Sequence, residues 1–345
     1  MKKTILLLAC ASMLAGSAYA QSDVESLYKS GKEAFAAYDK DFAKTQLNQP
    51  VDTVAMLGNL MKGFKDFEAA LPLDSVKTNK IDKKTGLPKV KTKYSKEMVA
   101  LMAGHIGDLT AAGNMYYTSK QYAEGAYAFG RYCELIQSPM AKANNVQVPA
   151  DTILGQIRFF EGLCDYYIPD YKKAFTAFDN ALKLGYTGKE YNLNIADYKA
   201  DCFSKMLQPL LDAKEFDKAY AAVDKAIAAE PNNSAYYYMK GALYASDSTK
   251  NVDDAIAMYK KSVELNPKNA DANFNVGYYL WKKGQEAINA APANATNDQI
   301  APQVVPVYKE ALPYLQKALE INPEYPSVKA VIENINYGLG ILDKK

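Results

Sequence analysis

Between residues 200 and 323 the apolar positions recur at helical spacing in short bursts, and a proline closes each burst. Three bursts align: Ala219/Val223/Ala226/Pro231, Ala255/Tyr259/Ser262/Pro267 and Ala311/Leu315/Ala318/Pro323. The i, i+4, i+7 spacing puts the first three members of each set on one helix face, and their small residues let a neighbouring helix come close. Proline lacks an amide hydrogen and disfavours helical geometry in the residue before it, so each helix stops there. Asn232-Asn233-Ser234 and Lys268-Asn269 then supply turn and capping chemistry for a restart. The restarted helices carry Tyr237, Gly241, Tyr244 in one copy and Asn273, Gly277, Leu280 in the next. Glycine inside a helix costs about 1 kcal/mol against alanine, so its recurrence at one place calls for a close helix contact.

These residues resemble the tetratricopeptide repeat (TPR), a pair of antiparallel helices with the pattern W-x₂-L-G-x₂-Y, then A-x₃-F, then P. Tyr237 stands where the family prefers tryptophan, Lys240 replaces its leucine and Ser262 its second alanine. Weaker copies run upstream through Gly113, Tyr116, Tyr122, Gly125 and Phe129, and through Gly162, Ala174, Phe178 and Ala181. Phe203 and Leu207 open the copy that closes at Pro231, with Leu207 where glycine is expected. An atypical first pair starts at the capping box Ser22-Asp23-Val24-Glu25 and reaches Ala70 through Gly63 and Phe67. The resemblance implies an all-α fold, an α-solenoid of antiparallel helix hairpins wound as a right-handed superhelix, with Pro326 to Leu342 as a C-terminal capping helix. An ordinary bundle would bury the same stripes, but it has no need to repeat glycine, alanine and proline in one order. The expected layout is a leader over residues 1–20, an atypical hairpin and a basic loop over 21–98, and degenerate repeats over 99–199. The clearest repeats follow over 200–323, then the cap and tail over 324–345.

Two segments depart from the period. Ala255 follows Ala219 by 36 residues, whereas Ala311 follows Ala255 by 56. The extra length falls within 285–307, whose proline, alanine, asparagine and glutamine predict an extended loop, with an overrun of the preceding helix toward Ala291 as an option; the loop reads as either a flap over a binding surface or a tolerated insertion. Lys77 to Lys96 holds eight lysines and one acidic residue, and Thr85-Gly86 suits the turn of a small exposed hairpin. Its charge is read as solvated, with contact to an anionic envelope component as the alternative.

Met1 to Ala20 reads as two lysines, an apolar run and small residues ending Ala18-Tyr19-Ala20, the pattern of a secretory signal cut after Ala20. The apolar run is shorter than the roughly 20 residues a spanning helix needs. Leu7-Leu8-Ala9-Cys10 offers a lipoprotein-type cut and a lipid anchor at Cys10 as the alternative, at the cost of an unusually short signal. The chain has 41 basic and 39 acidic residues, and removing Lys2 and Lys3 leaves 41 − 2 = 39 against 39. Such a balance gives no broad field for a phosphate backbone, so nucleic acid is disfavoured as a partner. Hydrophobic residues at 49% and charged residues at 23% are globular values that argue against wholesale disorder. Cys133, Cys164 and Cys202 would remain, without a C-x-x-C pair; they read as buried small hydrophobes, with one disulfide as the alternative.

The sequence offers no catalytic motif and no cofactor fingerprint. The single histidine, His105, has no nucleophile placed beside it by any motif and reads as a helix-end or core residue. One histidine and scattered cysteines lack zinc spacing. The acidic pair Asp253-Asp254 sits at a helix start, where it answers the positive dipole end.

Function is therefore expected on a surface. The resemblance places the first helix of each hairpin along a concave face. A step around the wheel from the packed positions gives Tyr238, Ala242 and Ala245 in one copy and Phe274, Tyr278 and Trp281 in the next, with Asn275 close by. Asn114, Tyr117 and Phe159 are the matching positions upstream. Aromatic rings with asparagines suit an extended peptide, and the expected function is a non-enzymatic scaffold for a peptide or protein partner in the periplasm or cell envelope. Stacking of the same rings on an envelope carbohydrate is the alternative. The lysines and asparagines with which some TPR grooves clamp a C-terminal carboxylate are missing, since the corresponding places hold Tyr238, Ala242, Asn275 and Asp271.

Overall fold

Asparagine and proline set the helix ends as their chemistry dictates. In the computed structural model, which describes residues 24–74, 76–81 and 88–343, the side chains of Asn233, Asn251 and Asn269 each accept a backbone amide of the helix that follows. Pro231, Pro267 and Pro323 lie in the turns just past the preceding helices. The described helices are α1 (Val24–Gln46), α2 (Thr53–Leu73), α3 (Ser95–His105), α4 (Asp108–Thr118), α5 (Tyr122–Leu135), α6 (Pro139–Ala143), α7 (Asp151–Tyr167) and α8 (Tyr171–Lys183). They continue as α9 (Ile195–Asp212), α10 (Phe216–Ala229), α11 (Ser234–Ser246), α12 (Val252–Leu265), α13 (Ala270–Ala290), α14 (Asn297–Ile321) and α15 (Pro326–Leu342). Residues 1–20, read above as a leader, Cys10 among them, and Ser22 and Thr85-Gly86 lie outside the described residues.

Among the described residues the fold is all-α apart from one antiparallel pair, β1 (Val76–Ile81) and β2 (Pro88–Lys91), in which Val76 pairs with Lys91 and Ile81 with Pro88. This is the hairpin anticipated within the basic segment. The chain divides into two compact units, with the boundary between Cys202 and Phe203, inside α9.

Each unit is built of helix pairs locked by a glycine against a large side chain. In the first unit Gly113 of α4 lies under Phe129 of α5, and Gly162 of α7 lies under Phe178 of α8. The first pair does this twice over, with Gly31 against Phe67 and Gly63 against Phe35. In the second unit Gly241 of α11 meets Tyr259 of α12, and Gly277 of α13 meets Leu315 of α14. The repeated alanines Ala174, Ala219, Ala255 and Ala311 are fully buried. These are the packing reasons for the glycines and alanines of the repeat. In α9 and α10 the pattern is altered in a compensating way: Leu207 occupies the glycine place and the smaller Val223 the aromatic place, and both are buried.

In 285–307 the preceding helix overruns as far as Ala290, but the extended loop expected after it is short. Only residues 291–296 are non-helical; α13 runs on to Ala290 and α14 starts at Asn297 with a Thr296–Gln299 capping box. Helix α14 tolerates Pro302, Pro306 and Pro313 because all three fall on one exposed stripe, opposite the buried Val304, Tyr308, Ala311 and Leu315. The carbonyls they release face water, so the insertion lengthens a helix pair instead of forming a loop.

His105 ends α3, stacks on Phe35 at 4.5 Å between ring centres and contacts Asp108 through Nδ1 at 2.9 Å. Cys133, Cys164 and Cys202 are buried, and burial pushes the thiols of Cys133 and Cys164 up to about 12. Among the described residues no helix is long and apolar enough to cross a membrane.

Candidate functional site

In α13 the residues around Gly277 divide by helical geometry. Asn273, Val276, Gly277 and Leu280 are buried, while Phe274, Tyr278 and Trp281 are half-buried and share a neighbouring stripe. The stripe starts at a defined place because Asn269 caps the helix, its Oδ1 accepting the Ala272 amide at 2.9 Å. Asn273 holds the preceding turn, its Nδ2 donating to the carbonyls of Pro267 at 3.1 Å and Asn269 at 2.8 Å. One repeat earlier Tyr237 does the same job through its hydroxyl, donating to the Pro231 carbonyl at 3.0 Å. A tyrosine and an asparagine thus stand where the tetratricopeptide pattern has a tryptophan.

The rings of Phe274, Tyr278 and Trp281 form a ladder, each next to the one before. Phe274 and Tyr278 lie 5.6 Å apart between centres, and Tyr278 and Trp281 5.7 Å. Such pairs contribute about 0.5–1.5 kcal/mol beyond their area and hold each ring in place. Tyr325, from the turn before α15, lies 5.0 Å from Phe274 and donates its hydroxyl to Asp271 at 2.7 Å. Burial first, and then the Asp271 carboxylate, push the Tyr325 phenol up, so the hydroxyl stays protonated as a donor. At the other edge Tyr238 of α11 meets Tyr259 edge-on at 5.5 Å and accepts from Asn275 Nδ2 at 3.2 Å. The structure therefore brings Tyr238, Phe274, Asn275, Tyr278 and Trp281 into one cluster. Asn275 spends an amide hydrogen inside it, fixing Tyr238. The indole Nε1 of Trp281 is buried without a hydrogen-bond partner, a donor left over when every ring has been placed.

The upstream candidates belong to the first unit and fare differently. Tyr117 is half-buried, 5.2 Å from Phe160 and 5.9 Å from Tyr122. Asn114 is exposed on the same helix. Phe159 is a correction. It occupies the same place before Gly162 that Phe274 occupies before Gly277, yet its exposure is 0%. The segment after α8 folds over it, bringing Tyr186 to 5.7 Å and Tyr191 to 6.4 Å, and Phe178 lies at 6.1 Å. Phe159 is a core residue. The ring presented beside Tyr117 is Phe160, and Tyr122 and Tyr167 continue the surface at 4.8 Å from one another. The tandem Phe159-Phe160 was the signal in the sequence for this shift of one position.

The family described as TPR repeat matches residues 248–284, which span α12 and the ladder-bearing part of α13. No curated protein matches the chain. Among solved structures, a TPR repeats protein from Bacteroides fragilis NCTC 9343 is 20% identical, with 67% of this chain and 98% of that chain covered and a TM-score of 0.38. YrrB, described as a TPR protein with an unusual peptide-binding site, is 16% identical over 65% of this chain and 90% of its own, with a TM-score of 0.33. The TPR2AB domain of yeast Sti1, in complex with pHSP90, is 13% identical over 91% and 98%, with a TM-score of 0.28.

Proposed function

This chain carries tetratricopeptide repeats, and from that premise we propose that it is a non-enzymatic scaffold whose first-helix surfaces capture an extended segment of a protein partner. We place it in the periplasm or cell envelope on the strength of the leader-like residues 1–20. The observation that carries the reading is the ladder Phe274–Tyr278–Trp281, three half-buried rings on one stripe, braced by Tyr238, Asn275 and Tyr325. The rings are held before any partner arrives, so binding costs the protein little conformational freedom. Half-exposed aromatic faces supply apolar contact area, and the unpartnered Trp281 indole gains a hydrogen bond if a small local shift brings a partner's carbonyl to it.

Trp281 is the only tryptophan in the chain, so its fluorescence reports on this site alone. Crosslinking in the native envelope followed by mass spectrometry identifies the partner; titrating the captured segment should then shift or quench that emission. An unchanged spectrum at saturation sinks the ladder as the contact surface. The rival reading, an envelope glycan stacked on Trp281 and its neighbouring tyrosines, gains a second surface in the Tyr122–Tyr167 pair of the first unit, where Tyr167 is 45% exposed. Binding on a glycan array together with an empty crosslinking result would favour it.

A further inference from the structure

Three tandem aromatic pairs in the first unit, Tyr116-Tyr117, Phe159-Phe160 and Tyr166-Tyr167, are divided by helical geometry. Neighbours in a helix point about 100° apart, so one ring can enter the core while the next stays out. Tyr116 and Phe159 are buried, whereas Tyr117 and Phe160 are half-buried and Tyr167 is 45% exposed. Tyr122, the first residue of α5, and Tyr191, from the segment after α8, join these outer rings in one run. From Tyr191 the ring centres lie 5.5 Å to Phe160, 5.2 Å on to Tyr117, 5.9 Å to Tyr122 and 4.8 Å to Tyr167. Gln156 pins the far end, its Nε2 donating to the Tyr191 hydroxyl at 2.9 Å. Tyr191 is itself 46% exposed, so the run reaches solvent at both ends.

Orientation and charge select the ligand. Successive planes meet at 78° between Tyr191 and Phe160, 72° between Phe160 and Tyr117, and 61° between Tyr117 and Tyr122; only Tyr122 and Tyr167 come near parallel, at 32°. Rings set so steeply to one another form ridges with notches between them, not the continuous flat face on which a sugar ring stacks. The middle of the run is also uncharged. Burial first, and then Tyr167, Tyr122, Cys164 and Tyr198, push the Tyr117 phenol up to about 12, and all four of those neighbours are neutral at pH 7. Its hydroxyl therefore stays a donor. We propose, resting on the scaffold reading above, that this run of rings binds an uncharged, proline-rich segment of a protein partner in the polyproline II conformation. Such a segment has no internal hydrogen bonds, so its carbonyls are free to accept from phenols. Its pyrrolidine rings fill the notches, and its shape is set before binding, so little freedom is lost. A charged segment would instead give up hydration against rings that offer it no opposite charge.

The test titrates the full chain, by ligand-observed saturation-transfer NMR, with three probes: a proline decamer, a glycine-serine decamer and chitohexaose. The proline decamer should bind and the other two should not. Tyr167→Ala should weaken binding about five- to tenfold, and Tyr191→Ala likewise, so one remains informative if the other loses its melting transition. Tyr167→Phe keeps the ring and removes the hydroxyl, and should weaken binding about two- to threefold. Trp281→Ala should leave it unchanged, which separates this surface from the ladder. No binding by the proline decamer, equal binding by the glycine-serine decamer, tighter binding by chitohexaose, or full affinity in a folded Tyr167→Ala or Tyr191→Ala would each overturn the proposal. The Trp281 titration judges the scaffold reading separately, so a failure here sinks this surface alone.

Discussion

The carboxylate of Asp74 accepts both the amide and the hydroxyl of Ser95, each at 2.6 Å. The same carboxylate takes the amides of Lys93 at 3.1 Å and Tyr94 at 2.9 Å. Helix α3 has no capping side chain of its own at Tyr94, so a residue 21 positions earlier, at the end of α2, satisfies its first amides across the β-hairpin.

Burial alone would raise the Asp74 carboxyl, but the hydrogen bonds from Ser95, Tyr94 and Lys93 outweigh it and hold the group below its ordinary value. A depressed folded value contributes stability that is present above the unfolded value of 3.8 and is lost as pH falls through the folded one. Asp74→Ala should therefore cost about 2–4 kcal/mol at pH 7, read from urea unfolding. The gap to the wild type should narrow as the pH is taken below about 4.

Asp165 works in the opposite direction. It is buried in α7, and burial first, then the negative Glu161, push its carboxyl up to about 7, with Lys173 only partly opposing and Asp170 adding to the rise. A folded value raised above the unfolded 3.8 gives stability that is complete below that unfolded value and disappears as pH rises through about 7. Asp165→Asn should flatten the dependence of the melting temperature on pH over this window and should melt higher than the wild type at pH 8. A wild type no less stable at pH 8 than at pH 5, with Asp165→Asn identical to it at both, would refute the assignment.

Two glycines in helices should respond to alanine with opposite signs. At Gly277 a methyl group would run into Leu315 and lie 3.1 Å from the Ala311 carbonyl, so overpacking of about 1–3 kcal/mol should exceed the roughly 1 kcal/mol gained in helix propensity. At Gly58 of α2 nothing lies within 4 Å of the added carbon, so Gly58→Ala should stabilise by about 0.5–1 kcal/mol. Chemical denaturation of both variants checks the pair.

If the ladder is the contact surface, Trp281→Ala and Phe274→Ala should each weaken capture of the partner segment by about 1–4 kcal/mol, measured by calorimetry on variants that keep their melting temperature. Phe159→Ala is the contrast. It should leave a core cavity and cost about 3–5 kcal/mol of stability, lowering the melting temperature.

The recurring Gly, Ala and Pro positions were legible in the sequence because each answers to a local rule: proline stops a helix, asparagine restarts one, and a small residue every few positions lets a second helix approach. Those rules determined the helix pairs from α11 to α14, the capping helix Pro326–Leu342 and the Phe274–Tyr278–Trp281 stripe, all within hairpins whose partners are close in the chain. Only the tertiary structure decided that Phe159 is core, that 297–307 is helix, that Asp74 caps α3 and that Tyr186 is folded back into the core. Phe159 obeys the same register as Phe274, but Tyr186 and Tyr191 cover it. The three prolines of α14 look like breakers until their shared stripe is seen to face water. The physical reason is common to all four: helical periodicity tells which residues share a face, whereas what covers that face depends on segments brought over it from elsewhere in the chain.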